Sequence, residues 1–211
     1  MGTIKKGILG GFSGKVGTVV GANWKRIAYM RSLPQNVKNP RTLAQQRQRS
    51  KFSLVVALLK PMLPFLRIGW KFYTGRQSAF NAATSYALAN AVTGTFPDFQ
   101  IDHAKVLTSR GNLPPIANAT AQSATGTLTL TWQNNSGVGS AQETDQLHIV
   151  VLNPAKDTAL IVEGDNRSQE TQIITIPTAW NGDKAHIYLS FISDDAKEVS
   201  NSICFDNVTI R

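Results

Sequence analysis

The second half of the chain is dominated by an alternation of apolar and polar residues. After residue 97, several short runs carry an apolar residue at every second position. These runs are centred on Leu130, Ile149, Ile174, Leu189 and Phe205. Turn signals rich in Asn, Gly, Pro and Asp separate them. Alternate side chains of a strand face the same side of a sheet, so this pattern predicts antiparallel strands. Their spacing is typical of an immunoglobulin-like β-sandwich over residues 115–211.

Two helices are predicted before this region. Thr42 and Gln45 have the spacing of a capping box, which places a helix start at Thr42. One apolar helix face is formed by Phe52, Val55, Val56 and Leu59. Pro61 is expected to end this helix after Leu59. A second helix, rich in alanine, is predicted from residue 76 or 78 to about residue 92, with Gly94 beyond its end.

Residues 1–38 combine glycines with β-branched residues, which favours extended chain and turns. Strands at 18–22 and 27–31 are predicted to form a hairpin over the turn 23–26. The predicted fold class is therefore α+β. A basic region of hairpin and helices spans residues 1–97, a linker spans 98–114, and the sandwich spans 115–211.

The distribution of charge also differs between the two halves of the chain. The chain carries 22 Lys and Arg against 13 Asp and Glu, for a net charge of +9, and no acidic residue precedes Asp98. Residues 1–97 therefore hold 15 basic residues and no acidic ones, whereas the remainder holds 7 basic and 13 acidic residues, a net of −6. Such a basic segment favours a negatively charged partner. The two partners that fit are nucleic acid and the acidic half of a neighbouring copy; a solvated basic surface without a dedicated partner is the simpler alternative.

The residues predicted to meet such a partner are the basic ones of the first 51 positions. They are Lys5, Lys6, Lys15, Lys25, Arg26, Arg31, Lys38, Arg41, Arg47, Arg49 and Lys51. Trp24 and Tyr29 are the aromatic residues available for stacking on a nucleic-acid base.

Catalytic and metal-binding patterns are missing from the sequence. His103, His148 and His186 are far apart and lack ligand neighbours at metal-binding spacing, and the single cysteine, Cys204, excludes an intramolecular disulfide. The glycines around Lys15 lack the spacing of a phosphate-binding loop. We therefore expect a protein that is not an enzyme, with no metal, no cofactor and no small-molecule substrate.

Neither the N-terminus nor the longest apolar stretch is expected to direct the chain into or across a membrane. The N-terminus does not have the pattern of a signal peptide. The apolar stretch 52–66 is interrupted by Lys60, Pro61 and Pro64, which predicts that it does not span a bilayer. We expect cytoplasmic synthesis, with later incorporation into a particle as one outcome.

The first half carries a series of short motifs: Gly14-Lys15-Val16-Gly17, Arg31-Ser32-Leu33-Pro34, and Asn39-Pro40-Arg41-Thr42 followed by Gln45, Arg49 and Phe52, with Trp70 and residues 77–81 completing the series. In this order the motifs resemble a module of uncharacterised bacterial and phage-encoded proteins. Phe80 departs from it, because tryptophan is usual there. The whole chain is also similar to a bacterial family of unknown function. The resemblance of the first half to the phage-associated module implies a virion or particle component.

In the second half, Trp132 and Tyr188 resemble the core aromatic residues of fibronectin type III and related immunoglobulin-like modules. Three functions are compatible with these observations. The leading hypothesis is an oligomeric structural protein that self-associates through its basic half. The alternatives are a sequence-nonspecific nucleic-acid-binding protein and a surface adhesin or carbohydrate-binding module, for which Trp180 is the candidate contact residue.

Overall fold

The computed structural model describes residues 2–4, 7, 10–24, 27–35, 39–75 and 77–211. The chain divides into two compact units, an N-terminal unit, Met1–Thr42, and a C-terminal unit, Leu43–Arg211. The predicted α+β class is confirmed, with an N-terminal hairpin region, helices and several antiparallel sheets.

The N-terminal unit is a four-stranded antiparallel sheet in the order β1-β2-β3-β4. Its strands are β1 (Thr3–Ile4), β2 (Phe12–Val16), β3 (Val19–Trp24) and β4 (Ile27–Ser32). Only Gly17 and Thr18 connect β2 to β3, and Gly17 has φ +57°, a conformation that glycine adopts without strain. The hairpin predicted from sequence is therefore present, but β3 extends further than predicted, and Trp24 pairs with Ile27 instead of lying in the turn.

The C-terminal unit begins with a helical layer. It contains α1 (Leu43–Leu59), a 3₁₀ turn (Lys60–Met62), α2 (Leu63–Gly69) and α3 (Ala79–Asn90). The predicted end of the first helix at Leu59 agrees with the structure. The side chain of Ser78 caps α3 by accepting a hydrogen bond from the backbone N–H of Asn81 at 3.2 Å.

The helical path continues through both prolines instead of stopping at Pro61. Pro61 and Pro64 occupy the first turn of the 3₁₀ segment and of α2, where a missing N–H removes no hydrogen bond. The resulting run Leu43–Gly69 has 27 residues and is long and apolar enough to cross a bilayer by length and composition. Lys60, Pro61 and Pro64 therefore do not shorten this helical run. Of its most apolar 18 residues, 33% are buried within the protein.

Burial along α1 differs from the predicted apolar face at one end. Val55 and Leu59 are fully buried, as expected, but Phe52 is 51% exposed, so its prediction as a core residue is wrong. In the described structure, Val55 is the first buried residue of α1. The helical turns before Val55 contain only exposed and half-buried side chains. The predicted apolar face of α1 is therefore covered only from Val55 onwards, where the helix packs against the core.

The segment predicted as a linker, 98–114, is folded. It continues the hairpin of β5 (Val92–Thr95) and β6 (Asp98–Ile101), then forms a 3₁₀ turn (His103–Lys105). Val106, Thr108 and Ser109 follow and are buried. This segment lies against the end of α2 because Gly69 has no side chain: a Cβ there would lie 2.6 Å from the carbonyl oxygen of Thr108.

The sandwich contains two antiparallel sheets with the orders β10-β9-β12-β13 and β11-β8-β7. Its strands are β7 (Ala117–Ala124), β8 (Thr127–Gln133), β9 (Gln146–Asn153), β10 (Thr158–Asn166), β11 (Thr171–Thr175), β12 (Lys184–Ile192) and β13 (Ile203–Thr209). The predicted alternation is confirmed: Leu130, Ile149 and Leu189 are fully buried between the sheets. This strand order is that of a fibronectin type III-like or immunoglobulin-like sandwich.

The four-stranded sheet of the sandwich, β10-β9-β12-β13, is buried on both faces. One face, with Ile149, packs in the sandwich core, while Val150 and Leu152 of the same strand pack against the helical layer. Trp132 and Tyr188 are both buried, as expected of core aromatic residues, but Trp132 lies between the sheets whereas Tyr188 packs in the second core, against the helical layer. The helices and the sandwich therefore share one sheet within one compact unit, and the division between units falls after Thr42 rather than after residue 97.

Candidate functional site

The N-terminal sheet brings predicted binding residues of different strands onto one face. Strand pairing joins Lys15 to Val20 and Val20 to Arg31, and it joins Trp24 to Ile27 and Ala22 to Tyr29. Residues paired across antiparallel strands face the same side. We call this side the aromatic–basic face and define it by Lys15, Val20, Trp24, Tyr29 and Arg31.

The aromatic–basic face is open to solvent within this unit. Trp24 is 51% exposed and Tyr29 is 46% exposed, and Lys15 and Arg31 are exposed as well. Trp24 and Tyr29 are diagonal neighbours on adjacent strands, roughly 7–8 Å apart between Cα atoms in a regular sheet. The face therefore combines two accessible aromatic rings with two cations.

The opposite face of the same sheet is also apolar and exposed. It carries Val16 at 54% exposure and Met30 at 70% exposure. The ring of Phe12 lies over Gly21, where an added Cβ would approach the ring to 2.6 Å. Among the described residues of this unit, Gly21 is the only buried one. The sheet consequently has no buried apolar side chain of its own in the part that the structure describes.

The other predicted basic residues are distributed over three locations. Lys5, Lys6, Lys25, Arg26 and Lys38 lie outside the described residues. Arg41 belongs to the N-terminal unit but lies outside its strands. Arg47, Arg49 and Lys51 lie on α1 in the C-terminal unit. The structure thus joins Lys15 and Arg31 on one surface, and the set predicted from sequence is divided between two units.

Lys51 has a local partner that the sequence did not indicate. Its Nζ atom lies 4.9 Å from the centre of the Phe99 ring, a distance suited to a cation–π interaction. This contact ties α1 to the β5–β6 hairpin. Lys51 therefore has a structural role in the C-terminal unit.

Several acidic residues of the second half pair with cations of the same half. The pairs are Asp102 with Lys105, Asp145 with Arg167, Asp183 with Lys156, and Asp195 with Lys197. Trp180, named above as a candidate carbohydrate contact, is 6% exposed and packs in the sandwich core. The prediction of Trp180 as a surface contact residue is therefore wrong, because its ring is not available to a ligand.

Two histidines that are distant in sequence meet at the edge of the helical layer. The rings of His103 and His186 stack with centroids 3.4 Å apart and an interplanar angle of 8°. His103 Nδ1 lies 3.0 Å from the Tyr188 hydroxyl, and His186 Nδ1 lies 2.5 Å from Asp206 Oδ1. Cys204 pairs with Tyr188 across the strands, which completes the polar cluster of five residues.

Burial determines the protonation of this polar cluster. Desolvation, assisted by the neighbouring His186, lowers the pKa of His103 to about 4, and desolvation also lowers the pKa of His186. Desolvation raises the pKa of the Cys204 thiol to about 12, and it raises the pKa of Tyr188 as well. At neutral pH the imidazoles are neutral and the thiol is protonated, so the thiolate needed for nucleophilic attack is disfavoured.

The sequence prediction did not bring these residues together. His103 was placed in a linker, and the histidines appeared isolated because their separation in sequence is large. The one available signal was the alternation of β12, which puts His186 and Tyr188 on the same side of a strand. Among the described residues, no group of three or more His, Cys, Asp or Glu side chains is placed to hold a metal ion.

The strand order and the helical layer define an α+β protein built on a fibronectin type III-like sandwich, with an exposed sheet as its candidate binding surface. The family of unknown function DUF6266 matches residues 11–206, and the chain belongs to this family. No curated protein matches the chain. A solution structure of the fibronectin type III domain of human collagen alpha-1(XX) is similar at 16% identity and a TM-score of 0.35, covering 47% of this chain and 87% of that domain.

Proposed function

We propose that this protein is a non-catalytic structural protein that self-associates through its N-terminal sheet, as a component of a phage-like virion or another particle. The observation that carries the proposal is the exposure of apolar side chains on both faces of this sheet. Small sheets of this kind are marginally stable unless another surface covers them. A second copy provides such a surface in a particle.

Charge supports contact between unlike parts of two copies. The N-terminal unit contains eight basic and no acidic residues, so two such units repel each other. The C-terminal unit holds 14 basic and 13 acidic residues, but all 13 acidic ones lie within its residues 98–211, whose net charge of −6 attracts the N-terminal unit of a neighbouring copy. A contact between two different surfaces is heterologous, and repetition of such a contact produces rings or filaments. This is the geometry that we propose for the assembly.

The test measures the mass of the full-length protein by light scattering after size exclusion, at micromolar concentration and at low and high salt. We expect oligomers that dissociate as salt screens the attraction. The double variant Trp24→Ser, Tyr29→Ser is expected to shift the mass towards the monomer. Ile173→Ser is the matched control, because Ile173 is 63% exposed on the sandwich.

A monomeric parent protein at every concentration and salt condition contradicts the proposal. So does an oligomer whose mass is the same in the double variant and in the control. Electron micrographs of the parent distinguish rings from filaments.

A second candidate function is sequence-nonspecific binding of single-stranded nucleic acid. The specific observation in its favour is the aromatic–basic face, because bases stack on aromatic rings while cations contact phosphates. Fluorescence anisotropy with a labelled oligonucleotide tests it. We expect affinity to fall steeply between 50 and 200 mM salt, and Lys15→Gln to reduce the salt dependence. Absence of binding at low salt excludes this function.

A further inference from the structure

A cavity of about 320 Å³ opens between α1 and the four-stranded sheet, within the C-terminal unit. Its wall is mainly apolar and includes Leu54, Leu58, Pro61, Ile101 and Leu152. The volume lies at the lower end of the range for small-molecule sites. Since an apolar cavity of roughly 150 Å³ is enough for benzene, this one accommodates a substituted six-membered ring.

His103 supplies a polar atom in this apolar wall. Its Nδ1 is engaged with the Tyr188 hydroxyl at 3.0 Å, and its ring is fixed by stacking on His186. Nε2 is therefore the ring nitrogen that remains for a ligand. The Tyr188 hydroxyl is able to donate to Nδ1 or to accept from it, so Nε2 carries a proton in one tautomer and a lone pair in the other. A hydroxyl group on a ligand satisfies both tautomers.

Charge restricts the ligand further. Asp157 also lines the cavity, and its carboxylate disfavours an anionic ligand. His103 is neutral at neutral pH because burial lowers its pKa to about 4, so it provides no positive charge to attract an anion. A neutral ligand fits both observations. Gln100 lines the cavity as well, and like Asp157 it is exposed, so His103 is the oriented polar side chain among three. A mainly apolar cavity with a few polar groups is typical of small-molecule sites.

We propose that this cavity binds a small, neutral, ring-containing alcohol or phenol, whose ring packs among Leu54, Leu58, Ile101 and Leu152 and whose hydroxyl bonds to His103 Nε2. The site is separate from the aromatic–basic face, and this inference does not depend on the proposed function. It adds a ligand class that the sequence did not predict.

The test titrates the full-length protein with p-cresol and with toluene and follows the methyl resonances of Ala57, Leu58, Ile101 and Leu152 by nuclear magnetic resonance. We expect saturable shifts with p-cresol, with a dissociation constant on the order of 1 mM for so small a ligand. Toluene has a similar shape without the hydroxyl. We expect toluene to bind about five- to tenfold more weakly, because it lacks the hydrogen bond. The initial slope of chemical shift against ligand concentration measures this difference.

Two variants separate cavity binding from hydroxyl recognition. His103→Phe retains a ring but loses Nε2. It should weaken the binding of p-cresol about five- to tenfold and leave the affinity for toluene unchanged. Ala57→Trp places a large side chain at the cavity from an exposed position of α1, and it should abolish both sets of shifts. Ile173→Thr, on β11 of the opposite sheet, is the control and should change neither.

Shifts that do not saturate, or that occur only at other residues, overturn the proposal. Equal affinity for p-cresol and toluene in the parent protein overturns recognition of the hydroxyl by His103. Both ligands are tested without altering the N-terminal sheet. Failure here therefore leaves the assembly proposal untouched.

Discussion

Arg167 and Asp145 form an ion pair that is removed from solvent, and they illustrate how single polar residues stabilise the sandwich. Both side chains are at most 1% exposed, and Arg167 Nη2 lies 3.0 Å from Asp145 Oδ2. The guanidinium also donates to the carbonyl oxygen of Pro114 at 3.1 Å and lies 3.8 Å from the centre of the Phe191 ring. A charge buried in this way depends on its partner, because water does not replace the lost contact.

We therefore expect Arg167→Met to lower the free energy of unfolding by about 3–5 kcal/mol, since it leaves Asp145 charged and buried. Urea denaturation monitored by circular dichroism measures this. Lys197→Met is the matched control: it breaks the pair with Asp195 at the surface, where Lys197 is 78% exposed, and should leave the urea midpoint unchanged. Equal midpoints for the two variants would show that the buried pair is not a stabilising element.

The three histidines predict a pH dependence of stability. Burial lowers the pKa of His103, His148 and His186 below 6.5 in the folded protein. The unfolded chain therefore binds more protons below pH 6.5, so stability is complete above this pH and falls towards pH 4. Nearby carboxylates raise these pKa values: Asp206 and Asp102 act on His103, Asp206 on His186, and Glu163 on His148. In each case desolvation lowers the pKa by more than the carboxylates raise it.

Urea midpoints at pH 7.5, 6.0 and 5.0 measure this dependence above the range in which carboxylates titrate. We expect a decrease at each step, and a smaller decrease in His186→Gln than in the parent. His186→Gln removes one titrating group and retains polar atoms near Asp206. An unchanged midpoint between pH 7.5 and 5.0 would contradict the lowered pKa values.

At the scale of elements, β9 and β12 connect the two hydrophobic cores of the C-terminal unit. Successive residues of these strands face opposite cores, so β9 is buried along most of its length. Strands buried on both faces lose the clear alternation of a half-buried strand. The helical layer and the sandwich therefore depend on the same sheet for their stability.

This sharing predicts that the two cores unfold together. Leu59→Ala in the helical layer and Leu130→Ala in the sandwich should each cost about 2–5 kcal/mol, because both side chains are fully buried. Both should shift one common transition, seen at the same urea concentration by tryptophan fluorescence and by circular dichroism. Leu43→Ala, at a position that is 52% exposed on the same helix as Leu59, is the control and should change little. Two separate transitions would contradict a shared core.

At the scale of the whole molecule, apolar burial is concentrated in the C-terminal unit. Both hydrophobic cores belong to this unit, whereas Gly21 is the only buried residue among the described residues of the N-terminal one. Burial of apolar surface is the main driving force of folding. The two units therefore differ in their ability to fold alone.

We expect the fragment 43–211 to fold in isolation, with a urea midpoint close to that of the full-length protein. The peptide 1–42 should lack strand structure until it meets a binding surface, as measured by circular dichroism with and without the fragment. A peptide that forms a stable sheet by itself would remove the main support for an assembly role.

The amino-acid sequence by itself determined the elements whose pattern is local. The alternation around Leu130 and Leu189 predicted the sandwich strands, and the spacing of Val55 and Leu59 predicted the buried stripe of α1. The charge asymmetry is likewise a property of the sequence alone. These predictions succeeded because side-chain periodicity follows directly from strand and helix geometry.

Only the tertiary structure decided which elements pack against each other. It placed the helices on the sandwich sheet, exposed Phe52, buried Trp180, and stacked His103 on His186. Contacts between residues distant in sequence depend on the packing of whole layers, which leaves no periodic signal in either segment. The same packing opened the cavity beside His103, and for this reason the candidate small-molecule site was not predictable from the sequence.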